Sequence, residues 1–96
     1  MLAFYYLIQS KKDGQYLFAR PGADREAKFV LLFSERSDAL SYLTAHVGAV
    51  SDRFLVQSVS SKDLAAILTR WDFRGVGSVE DPLLPKIQFL ERNGTK

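Results

Sequence analysis

Cysteine is absent from this 96-residue chain, which excludes disulfides and thiolate metal sites and suits a reducing, cytoplasmic location. A single histidine, His46, leaves any imidazole-based metal or catalytic cluster without a second ring. Long apolar runs are missing. The longest, Leu2 to Ile8, is far too short to span a bilayer, and it lacks the basic flank and cleavage site of a signal peptide. Strong charge of one sign is missing too: 13 Lys and Arg stand against 11 Asp and Glu, a net +2. Residues 1–36 hold six basic and four acidic residues, so the small basic excess lies toward the N-terminal part. Such a balance neither requires nor forbids an anionic partner.

What is present is an ordinary globular composition, 47% apolar and 25% charged. It predicts one domain over 1–96, with 91–96 a fraying polar tail. The stretch from Phe29 to Leu40 organises the rest. A strand rich in β-formers, Ala27 to Phe33, runs into a serine-bearing helix start. That helix is expected over Arg36 to Val47, with Leu40, Leu43 and Val47 on one stripe, Ser34 or Ser37 as cap, and Gly48 as stop. Upstream, Leu2 to Ile8 is apolar on both sides at period two, as an interior strand is. Asp13-Gly14 marks a hairpin turn into a second strand, Gln15 to Arg20. Downstream, Phe54 to Val59 reads as a strand. Ser60-Ser61-Lys62-Asp63 reads as a capping box, with Val59 and Leu64 as its hydrophobic staple. Leu64, Ile67, Leu68 and Trp71 continue a second helix that Gly75 and Gly77 are expected to end. Residues 76–85 read as a loop, and Lys86 to Leu90 as a short edge strand after two prolines.

The element order predicts an α+β two-layer sandwich: a mixed sheet of 4–5 strands with two helices on one face, in the order β-β-β-α-β-α-(β). The other face would then be bare and apolar. Tyr5, Leu7, Val30 and Leu32 are its candidate interaction residues, joined by Trp71, Phe73 and Arg74 at the end of the second helix. Residues 76–96, a second copy or another protein are the alternatives for covering it. A second candidate set is basic or anion-binding: Lys11, Lys12, Arg20, Arg25 and Lys28 around the hairpin, and Ser34, Arg36 and Ser37 at the first helix start. Asp13, Asp24 and Glu26 interrupt that positive field. No spaced carboxylate pair, nucleophile motif, P-loop or metal-ligand spacing appears, so neither a catalytic residue nor a cofactor is assigned.

The Phe29–Phe33 strand followed by Asp38-Ala39-Leu40 resembles the strand-to-helix step of the SseB N-terminal-like family. Phe54–Val59 followed by Leu64-Ala65-Ala66-Ile67-Leu68 is similar in order, so the likeness covers about residues 29–70. An uncharacterised family of cyanobacteria and plastids has a comparable strand and acidic Asp-Ala-Leu helix start. The resemblance implies a small non-catalytic α/β domain linked to protein interaction or secretion-related roles, and it supplies no active-site residues. The functional expectation is a non-enzymatic interaction or regulatory module, homodimeric through the bare face or an edge strand. Weak nucleic-acid or anion binding by the basic hairpin is the alternative.

Overall fold

Hydrophobic alternation along the first strand sets the architecture. In the computed structural model, which describes residues 4–22 and 27–91, β1 (Phe4–Ser10) sends Tyr5 and Leu7 into one apolar cluster and Tyr6 and Ile8 into another. Strand β3 (Phe29–Leu32) does the same, with Val30 and Leu32 in the first cluster and Leu31 in the second, where Phe33 joins it. The chain therefore builds two cores, one on either side of the strands.

The elements run β1, β2 (Phe18–Ala19), β3, α1 (Arg36–Tyr42), β4 (Phe54–Ser60), α2 (Ser61–Arg70), β5 (Gly75–Asp81) and β6 (Lys86–Glu91). Strands β1 and β4 pair antiparallel. A second sheet has the order β2-β3-β5-β6, parallel between β3 and β5 and antiparallel elsewhere. Bridges at Tyr6–Phe33 and Gln9–Tyr16 join the two sheets, so β1 is interior, as its two-sided apolar pattern predicts. The α+β class, the mixed pairing and the edge position of the last strand follow the sequence. The radius of gyration, 12.8 Å, is that of a compact globule of this length.

The helix placement departs from expectation. Helix α2 contributes Leu64, Ile67 and Leu68 to the first cluster, while α1 contributes Ala39 and Tyr42 to the second. Each side of the strands thus receives one helix. The expectation of both helices on one face assumed that successive strands would be parallel neighbours. Here β4 instead pairs antiparallel with β1, and β5 returns to lie beside β3.

Local signals explain most element ends. Gly14 takes a positive φ of 74° in the β1–β2 turn, where Gln15 N–H donates to Asp13 Oδ1 at 3.1 Å. Ser60 caps α2 by accepting from Asp63 N–H at 3.1 Å. The α1 cap is Glu35, with no side-chain cap bond, so neither Ser34 nor Ser37 fills that role. After Tyr42 the helix widens to a π-helical turn, Leu43–Val47. Gly48, at φ 69°, then opens a 3-10 segment that reaches Arg53.

Asp72, not glycine, ends α2. It sits at φ 57°, with Phe73 N–H donating to the Leu68 carbonyl at 2.9 Å and Asp72 N–H to that of Thr69 at 3.3 Å. Residues 75–81 form β5 rather than a loop. Their glycines serve close packing: a Cβ on Gly77 would lie 3.1 Å from both Ile87 Cγ2 and Phe89 Cε1.

Candidate functional site

The bare apolar face expected from sequence is closed by the chain itself. Leu7 and Val30 are fully buried, Phe73 is 2% exposed and Leu32 8%. Tyr5 and Trp71 pack against the same cluster, in which α2 is the covering helix. Arg74 is exposed and lies 3.8 Å from Glu91. The six apolar residues gather in one cluster and do not present an open surface, and Arg74 lies exposed outside it. The covering element is α2, which was expected on the other side.

The basic set is dispersed. Lys11 and Lys12 lie in the β1–β2 turn, and Arg20 lies at the far end of β2. Arg20 and Lys28 do converge: the Arg20 guanidinium is 5.2 Å from the Phe18 ring centre, and Lys28 Nζ is 5.4 Å from the rings of Phe18 and Phe73. Arg36 turns away to the Tyr6 ring, at 5.5 Å. It starts a helix of seven residues whose cap position is an acidic Glu35, beside exposed Ser34 and Ser37. Arg25 lies outside the described residues.

His46, exposed at the end of the π turn, donates from Nε2 to the Pro82 carbonyl at 2.8 Å. It also lies against Tyr42, whose partial burial raises its phenol pKa above the ordinary value. That hydrogen bond ties the helix end to the β5–β6 turn. Among the described residues no group of three or more His, Asp or Glu is placed to hold a metal ion, and no polar or charged residue is buried. A shallow groove of about 320 Å³ between α2 and the strands is lined by Tyr16, Val59, Asp63, Ile67 and Arg70.

Four of the seven exposed large apolar side chains among the described residues lie instead on the β5–β6 hairpin. Leu84 is 75% exposed, Leu83 63%, Leu90 47% and Phe89 37%. Asp81 holds the turn by accepting from the N–H groups of Leu83, at 2.9 Å, and Leu84, at 3.2 Å. Leu83 then faces Leu40, Thr44 and Ala45 across a shallow groove. Among the described residues strand β6 pairs only with β5, so no described strand occupies its outer backbone edge. Its two end charges are already answered inside the hairpin: Lys86 lies 3.9 Å from Glu80, and Glu91 lies near Arg74. Between them Ile87-Gln88-Phe89-Leu90 carries no charge, proline or glycine.

Natural edge strands usually carry such a device against unwanted pairing. The opposite edge, β4, does expose polar Gln57 and Ser58 at its middle. Sequence had placed Lys86 to Leu90 at an edge but had not singled out Leu83, Leu84, Phe89 or Leu90. The uncharged apolar run after the prolines was the available signal.

No protein-family model matches this chain, and neither a curated protein nor a solved structure does. No helix among the described residues is long and apolar enough to cross a membrane.

Proposed function

We propose that this protein is a non-enzymatic interaction module that self-associates by adding a strand of a second copy to the open edge of β6. The supporting observation is the unguarded, uncharged centre of that edge, with Phe89 and Leu90 exposed on its two faces. The net charge of +2 sets little repulsion between copies. The SseB N-terminal-like resemblance, over about residues 29–70, supports the interaction-module class alone and does not reach β6.

The magnitude is modest. Burying about half of the exposed parts of Phe89 and Leu90 on both copies is worth about 4 kcal/mol. A short ladder of backbone hydrogen bonds adds about 0.5–1.5 kcal/mol each. Association costs of about 4–15 kcal/mol offset most of this. The expected affinity is therefore weak, in the range of about 1 μM to 1 mM. Sedimentation velocity across that range should show a monomer–dimer equilibrium that Leu90→Glu abolishes. A sample that stays monomeric throughout would sink the proposal.

Weak binding of an anion or single-stranded nucleic acid is supported by a different observation, the convergence of Arg20 and Lys28 over Phe18. Its affinity would fall steeply with added salt, whereas apolar strand addition would not. Titration with a labelled oligonucleotide at two salt concentrations separates the two. Binding unchanged by Arg20→Ala and Lys28→Ala would discard this site.

A further inference from the structure

We infer that the two copies meet on a two-fold axis beside Gln88, so that Ile87 of each strand lies opposite Phe89 of the other. This rests on the β6 pairing proposed above and adds its register. Two identical antiparallel strands related by a two-fold axis keep their side chains on their own faces. Opposite residues must then have the same parity, and the axis passes beside a residue paired with its own copy. Within Lys86–Glu91 only centres at Gln88 or Phe89 engage most of the strand.

The two registers differ in chemistry. A centre at Phe89 sets the Glu91 carboxylate against Ile87, which is half-buried and packed with the second apolar cluster. A centre at Gln88 gives two Ile87–Phe89 pairs, an apolar match that extends the Phe29–Phe89 ring contact at 5.4 Å. The Gln88 amides then face each other, each offering a donor and an acceptor. Lys86 lays its alkyl chain along Leu90, and Glu91 falls outside the ladder, free to keep its contact with Arg74.

The absence of native cysteine makes single-cysteine crosslinking clean. Opposite Cα atoms in such a ladder lie about 4.5–5.5 Å apart, within disulfide reach. A residue one place off the axis lies two residues along the ladder from its own copy, at about 8 Å or more, beyond that reach. Gln88→Cys should therefore crosslink on mild oxidation. Ile87→Cys and Phe89→Cys should not crosslink alone, but should do so when mixed. Gln57→Cys, on the other edge, serves as the negative control. Crosslinking of Phe89→Cys alone would overturn the register while leaving the β6 dimer standing. A folded protein that sediments as a dimer with no crosslink at any of the three β6 positions would overturn both. Gln88→Lys gives a second measure on an exposed position: it should weaken dimerisation several-fold at low salt and recover at high salt, because like charges face each other only in this register. Weakening that salt does not relieve would count against it.

Discussion

Alanine at Gly75 tests the β5–β6 pairing on which the candidate site depends. A Cβ there would run into the Leu90 carbonyl oxygen, with Glu91 Cα at 2.8 Å and the Leu90 carbonyl carbon at 2.9 Å. All three are backbone atoms of the paired strand, so no side-chain rotation relieves the clash. The strands must separate locally, straining the Gly75–Glu91 and Val76–Leu90 pairs. Overpacking of this kind costs about 1–3 kcal/mol. Weakened ladder bonds add about 0.5–1.5 kcal/mol each. The unfolded-state gain of replacing glycine returns about 0.4–1 kcal/mol. The net loss should be about 2–3 kcal/mol, or roughly 8–24 °C in Tm for a domain of this size. Gly77→Ala is the matched control. Its Cβ would meet side-chain atoms of Ile87, Phe89 and Leu31 at 3.1–3.3 Å, and these can yield by a few tenths of an ångström. It should shift stability by about 1 kcal/mol or less, because overpacking and entropy nearly cancel. Thermal and urea unfolding followed by circular dichroism measures both. If Gly75→Ala unfolds at the wild-type midpoint, the register of β5 on β6 is wrong.

Three further outcomes follow from local geometry. Ser60→Ala should cost about 1 kcal/mol through loss of the α2 cap, whereas Ser34→Ala and Ser37→Ala should leave the urea midpoint almost unchanged because neither caps α1. Asp72→Gly should raise stability by up to about 1 kcal/mol in the same assay, since glycine occupies the left-handed region without the strain of a side chain. Burial raises the Tyr42 pKa above 10.0 in the folded protein, so the unfolded chain loses that proton first as pH rises. Stability should therefore be unaffected by this group below about pH 10 and fall above it, until the folded phenol also ionises. Tyr42→Phe should remove that alkaline decline, read as the pH dependence of the urea midpoint.

Signals that act over a few residues were legible in the sequence. The Asp13-Gly14 turn, the Ser60 cap and the Leu64-Ile67-Leu68 stripe each fix a neighbour within one turn, and each is present. The apolar two-sidedness of β1 correctly marked an interior strand. What failed depended on distant partners. Residues 76–85 looked like a loop because Gly77 and Pro82 are breakers in isolation. In the fold, Gly75 and Gly77 are what permit β6 to approach β5. Likewise, no periodicity in α1 or α2 records which side of the strands each will take. That choice is made by β4 pairing with β1, a contact between residues some fifty positions apart in the register Tyr6–Ser58. The face expected to be bare is covered for the same reason. Tyr5, Leu7, Val30 and Leu32 are as apolar as expected, but α2 reaches them first.

The position of the uncovered surface then follows from how two short helices are shared out. Helix α1 has seven residues and α2 has ten. The first packs its apolar face over β1 and β4, and the second packs over the strands on the opposite side. Had both lain on one side, a broad sheet face would have stayed bare. With one on each side, the centre of the strand array is enclosed twice, and the β5–β6 hairpin at its margin is left with little cover. Its inner residues, Val79 and Gly77, are still buried against β3 and its neighbours. Its outer residues, Phe89 and Leu90, have backbone on one flank and solvent on the other. An added strand is the smallest element that covers apolar side chains on both faces of such an edge while satisfying its free backbone groups. A helix laid on either face would bury one of the two and leave the edge unpaired.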